Sequence, residues 1–94
     1  MKQYEIMTIY KADLDEQGAK DLSSKVQETI TTAGGKVLSS NFWGKRRFAY
    51  EIKHQKEGYY DVINFEIDLS KLKKFESKLG LMTGIVRYLI TAQS

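Results

Sequence analysis

Lys45-Arg46-Arg47, bracketed by Trp43, Phe48 and Tyr50, is the stretch of this 94-residue chain whose residue types and spacing best suit a chemical task. Adjacent cations match phosphate oxygens, and interleaved aromatic planes suit stacking or contact with a protein partner. The plainer reading of the same residues is a solvated strand end with core aromatics. Lys71, Lys73, Lys74 and Lys78 show that the chain also carries ordinary basic helix surface.

Catalytic chemistries lack their inventory. His54 is the sole histidine and cysteine is absent, so zinc and redox-metal sites have no usual ligands and there is no thiol nucleophile. A serine nucleophile needs a histidine and an acid, and His54 stands in the polar run His54-Gln55-Lys56-Glu57-Gly58 with no serine beside it. Asp13, Asp15 and Glu16 cluster where a helix should start, and capping explains them. No glycine-rich phosphate loop occurs, and Gly34-Gly35 follows a helical pattern instead of leading into one. The expectation is a non-enzyme with no cofactor, no metal and no small-molecule substrate.

The chain is short for more than one core, so a single domain over residues 1–94 is expected. A composition 41% hydrophobic and 29% charged is globular. Lack of cysteine fits the cytoplasm, and without a long apolar run neither secretion nor a membrane span is expected. Net charge is only +3, yet positive charge gathers at residues 44–58 and in the last quarter of the chain.

The elements that must position these residues follow from periodicity. Tyr4, Ile6, Thr8 and Tyr10 alternate with Glu5, Met7 and Ile9, a central strand. Asp13-Leu14-Asp15-Glu16 opens a helix whose stripe is Ala19, Leu22, Val26, Ile30 and Ala33, stopped by Gly34-Gly35. Lys36 to Lys53 reads as a strand interrupted at Gly44, with Phe48, Tyr50 and Ile52 on one face. The run His54–Gly58 should turn the chain so that Tyr59–Ile67 returns antiparallel, with Ile63, Phe65 and Ile67 pointing one way. Asp68 or Ser70 can cap a second helix with stripe Leu72, Phe75 and Leu79, ended by Gly80. Val86, Tyr88 and Ile90 then make a last strand.

The order β-α-β-β-α-β places the chain in the α+β class with a ferredoxin-like arrangement, a four-stranded antiparallel sheet with two helices on one face. The other face stays open for a ligand, a partner or RNA. Lys36–Lys53 would run about 55 to 60 Å if straight, so part of this ribbon is expected to overhang the body and present its rings to another macromolecule. The RNA-recognition-motif signature is absent from Tyr59–Phe65, so RNA contact is expected at phosphates and shape, not by base stacking on the sheet centre.

Gly44-Lys45-Arg46-Arg47-Phe48-Ala49-Tyr50-Glu51-Ile52-Lys53 resembles the signature of the bacterial small-subunit ribosomal protein six family. Tyr4-Glu5-Ile6-Met7, Asp13-Leu14-Asp15, Gly58-Tyr59-Tyr60 and Arg87-Tyr88-Leu89 resemble it in the same order, so the likeness spans the chain. Phe48 stands where that family usually has Leu, and Glu51 where it often has Pro. The resemblance implies a structural ribosomal component in the cytoplasm that pairs with small-subunit ribosomal protein eighteen and binds the central domain of small-subunit ribosomal RNA. It implies RNA contacts at Lys2, Lys45, Arg46, Arg47 and Arg87, and protein contacts at Trp43, Phe48, Tyr50 and Tyr60. The alternative is a ferredoxin-like regulatory module that binds a small molecule or a second copy of itself on the open sheet.

Overall fold

Alternation in the first strand sets the layering. In the computed structural model, which describes residues 1–93, β1 (Lys2–Lys11) buries Tyr4, Ile6, Thr8 and Tyr10 on one face. A 3-10 turn, Ala12–Leu14, leads into α1 (Asp15–Thr32). Among the candidate caps Asp15 does the capping: its Oδ1 accepts the backbone N–H of Gly18 at 2.8 Å, and its own backbone sits at φ 58°. Ala19, Leu22, Val26 and Ile30 form the buried stripe as expected. The helix ends where Gly34, at φ 93°, donates to Thr31 O and Gly35 donates to Ile30 O, which satisfies carbonyls the last turn would leave open.

β2 (Lys36–Ile52) and β3 (Gln55–Ile67) form a hairpin. Its turn is tighter than the expected His54–Gly58 run. Ile52 pairs with Gln55, so Lys53 and His54 alone make the turn, at φ 47° and 65°, the backbone of a type I′ loop whose twist matches the strands. Gly58 is therefore a strand residue, and it must be glycine for another reason: a Cβ there would lie 2.8 Å from Ile9 Cγ2 and 2.8 Å from Tyr10 O.

α2 (Leu69–Gly80) buries Phe75 and Leu79, with Leu72 half-buried; Asp68 holds the N-cap position and Ser70 lies within the helix. Gly80 is the last helical residue but not a left-handed stop. The positive φ, 97°, falls at Gly84, where a Cβ would meet Leu22 and Leu14. β4 (Ile85–Gln93) follows.

The sheet order is β2-β3-β1-β4, antiparallel throughout. Both helices lie on one face, where Tyr4, Ile6, Tyr10, Ile63, Phe65 and Ile67 meet Ala19, Leu22, Val26, Ile30, Phe75 and Leu79. Phe65 joins the layers, stacked on Tyr4 at 5.8 Å and edge-on to Phe75 at 5.5 Å. Fully burying such a side chain contributes about 1.5 to 3 kcal/mol before entropy is counted.

The overhanging ribbon is not observed. β2 has 17 residues, yet the molecule measures 36 × 24 × 22 Å, whereas a straight strand of that length would run about 56 Å. Register shifts between Val37 and Ser39, Phe42 and Gly44, and Arg47 and Ile52 bend it. In the last shift Phe48–Glu51 lie opposite Lys56 alone. The end of the hairpin thereby leans back over the open sheet face and does not project.

Candidate nucleic-acid and protein interface

The bend at Gly44 (φ 88°) decides which way each hairpin residue points. Lys45 pairs with Tyr59, Arg46 with Gly58 and Arg47 with Glu57. Because Tyr59 belongs to the helix-side core, Lys45 and Arg47 lie toward the helix side and Arg46 toward the open side. All three are exposed. Lys45 is partly tethered, its Nζ 3.9 Å from Glu57 Oε2 and 5.7 Å from the Tyr59 ring centroid, an exposed pair contributing about 0.2 to 1 kcal/mol. Arg46 folds its guanidinium back to donate to Lys45 O at 3.1 Å.

Arg46, Gly58 and Lys11 fall in one row across β2, β3 and β1. Two cations thus stand about 10 Å apart on the open face, with Gly58 between them in the row and the Phe48 ring reaching over it. Lys11 was not singled out by sequence reasoning; its place at the end of β1, in register with the hairpin, is visible only once the strands are paired. Arg87, opposite Ile9 on β4, joins the same end of the open face. Lys2 does not: it pairs with Ile67, nine positions down β1 from Lys11, about 30 Å away.

The aromatic positions gather beside these cations. Trp43 and Tyr60 lie parallel within 6°, centroids 6.2 Å apart, and Phe48 is tilted against Tyr60 at 6.0 Å. Phe48 reaches over Gly58, its Cζ 3.1 Å from where a Cβ would sit, so the bare backbone at Gly58 lets the bent hairpin close down. Beyond Phe48 a groove of about 300 Å³ is lined by Tyr50 and Ile52 from the hairpin, Met7 and Ile9 from β1, and Arg87 and Leu89 from β4. Tyr50 is 70% exposed and Leu89 57%. Leu89, Met7 and Ile52 were not predicted as contact residues; the signal was the alternation of Leu89 with core-facing Tyr88 and Ile90.

On the helix side Asp61 is 1% exposed and accepts from Tyr10 Oη at 2.7 Å and Ser23 Oγ at 2.5 Å. Burial first, and then the Asp61 carboxylate, push the Tyr10 phenol well above its ordinary pKa. This cluster lies under α1, away from the open face, and serves the fold. Among the described residues no group of His, Cys, Asp or Glu is placed to hold a metal, and no helix is long and apolar enough to cross a membrane.

The family described as Ribosomal protein S6 matches residues 3–92. The chain is 44% identical over 90 residues to Small ribosomal subunit protein bS6 of Symbiobacterium thermophilum, covering 96% of this chain and 95% of that one. It is 38% identical over 93 residues to the protein of the same name from Fusobacterium nucleatum, covering 99% of each. The crystal structure of 30S ribosomal protein S6 from Thermotoga maritima superposes with a TM-score of 0.92 at 31% identity, covering 98% of this chain and 87% of that one.

Proposed function

The chain belongs to the Ribosomal protein S6 family, and from that premise we propose that it binds the central domain of small-subunit ribosomal RNA together with small-subunit ribosomal protein eighteen. As a family member it is a structural constituent of the bacterial small ribosomal subunit, in the cytoplasm, and not an enzyme. Lys45, Arg46 and Arg47 meet RNA phosphates from an edge strand whose two sides are both open to a ligand, Arg87 adds charge on the open face, and Lys2 makes a separate contact at the far end. The protein partner covers the groove at Phe48 and Tyr50, with Trp43 and Tyr60 along its border.

One observation carries this reading: an apolar groove containing a single charged side chain, Arg87, opens directly beside three consecutive exposed cations. Apolar surface of that kind marks contact with another macromolecule, and cations on the adjoining strand favour a polyanion next to it. The test is RNA affinity, in the presence of the partner, across a salt series. Replacing Lys45, Arg46 and Arg47 singly by Ala should each flatten the log–log salt slope by about 0.7 to 0.9. An unchanged slope in all three variants would remove these residues from the RNA interface.

A further inference from the structure

We propose that Trp43 and Tyr60 form a stacking platform for one unpaired RNA base, with Arg46 and Lys11 holding the flanking phosphates. The proposal rests on the RNA-binding reading above and, of the two uses the interleaved aromatics suit, assigns Trp43 and Tyr60 to base stacking.

The bulge builds the platform. Phe42 pairs with Asp61 and Gly44 with Tyr60, so Trp43 is the extra residue between them. Phe42 turns to the helix side, where it stacks on Tyr59 at 6.0 Å and lies under Lys20. Trp43 is left beside Tyr60 on the open side, parallel within 6°. At a centroid separation of 6.2 Å the parallel rings stack with an offset, so each leaves part of the other uncovered. Trp43 remains 43% exposed although it is the largest side chain of the hairpin. Phe48, tilted by 59° to Tyr60, forms a wall on one side. An exposed indole backed by a second ring and flanked by a wall suits a planar heteroaromatic ring, and any base has a face to offer it.

Charge selects a nucleotide over an apolar peptide side chain. The Arg46 guanidinium reaches back to within 3.9 Å of where a Gly44 Cβ would stand, next to Trp43 in sequence, and Lys11 lies in the same row on the open face. The neighbouring positions of the open face at this end, Met7, Ile9 and Tyr60, carry no carboxylate. A base on the platform would thus have cations on its backbone side and apolar surface under its ring. A base held in a duplex cannot present its face in this way, so the platform takes single strands.

The chain contains one tryptophan, so its emission reports on this site alone. The full-length protein is titrated with a mixed-sequence RNA decanucleotide and, separately, with the same strand annealed to its complement. Quenching by the single strand and not by the duplex is expected. Trp43→Ala should weaken single-strand affinity about tenfold or more with the salt slope unchanged, Trp43→Phe should stay within about threefold of the parent, and Arg46→Ala should lower the slope by about 0.7. Circular dichroism of each variant controls for folding. Equal quenching by both RNAs, or a Trp43→Ala variant that binds like the parent, overturns the platform. If the salt slope still responds to Arg46→Ala in that case, the phosphate reading survives and only the stacking is lost. An emission change produced by the ribosomal protein partner alone, with none from RNA, assigns the rings to the protein interface and likewise overturns the proposal.

Discussion

Asp61 is the one charged residue among the buried described residues, and no cation accompanies it. Its Oδ2 takes hydrogen bonds from Tyr10 and Ser23, while Oδ1 has no protein partner. A half-satisfied buried carboxylate depends heavily on the donors it has, because removing one leaves charge desolvated at a cost of about 1 to 3 kcal/mol. Tyr10→Phe should therefore lower stability by about that much in urea denaturation. Tyr10→Phe combined with Asp61→Val should recover at least part of the loss, since no buried carboxylate is then left short of donors, although Ser23 loses the acceptor of its O–H and keeps only the bond it accepts from Gln27 Nε2. Tyr10 sets a pH dependence. Its folded pKa is raised above the ordinary 10.0 by burial and by Asp61, so near and above pH 10 the unfolded chain loses this proton while the folded chain keeps it. Stability from Tyr10 is complete below that range and falls as pH rises through it. Tyr10→Phe should remove that part of the alkaline decline. A variant whose stability falls as steeply as the parent's between pH 9 and 11 would show that Tyr10 is not its source.

At the scale of elements, legibility followed the strength of the periodic signal. β1 and α1 were readable because Tyr4, Ile6, Thr8 and Tyr10 recur every second residue and Ala19, Leu22, Val26 and Ile30 every third or fourth, and burial obeys both patterns. The hairpin turn was not, because Lys53 and His54 adopt positive φ without the Gly or Asn that announces such a turn. Gly58 and Gly80 drew attention instead, one of them fixed by the close approach of Ile9 and the other by nothing within 4 Å. The bend of β2 was hidden as well, since residue counts give contour length and not bulge geometry. The cations of the candidate site were visible in sequence, but their division between two faces depends on that bend. The turn makes a prediction of its own. A non-glycine residue in the left-handed region costs about 1 to 2 kcal/mol, part of which glycine would return in unfolded-state entropy. His54→Gly should thus stabilise the protein by up to about 1 kcal/mol in thermal or chemical unfolding, and Gly58→Ala should destabilise it by about 1 to 3 kcal/mol through overpacking against Ile9 and Tyr10. A destabilised His54→Gly variant would mean that the loop does not have the type I′ backbone.

Over the whole molecule, one sheet face is spent on the core and the other carries the proposed contacts, so stability and assembly should respond to different substitutions. The helix face holds the fully buried rings and Asp61, whereas the groove face keeps Tyr50 and Leu89 in solvent. An exposed side chain contributes little to folding, and substitutions there usually shift stability by no more than about 0.5 kcal/mol. Its contribution to binding can exceed 2 kcal/mol when a partner desolvates it at the centre of an interface. Leu89→Asp is the sharpest test of this division. It places a carboxylate in an apolar groove two positions along β4 from Arg87, on the same open side of the strand, and it leaves the helix-face core untouched. The unfolding midpoint of the free protein should barely move. Retention on small ribosomal subunits in sucrose gradients at moderate salt should fall about tenfold or more, because the partner would lose the Leu89 contact and have to desolvate a carboxylate. Tyr50→Ala should fall in the same direction and to a lesser degree. If Leu89→Asp sediments with subunits as the parent does, the groove is not the surface by which this chain is held, and the contacts must lie on the cationic edge of β2 alone.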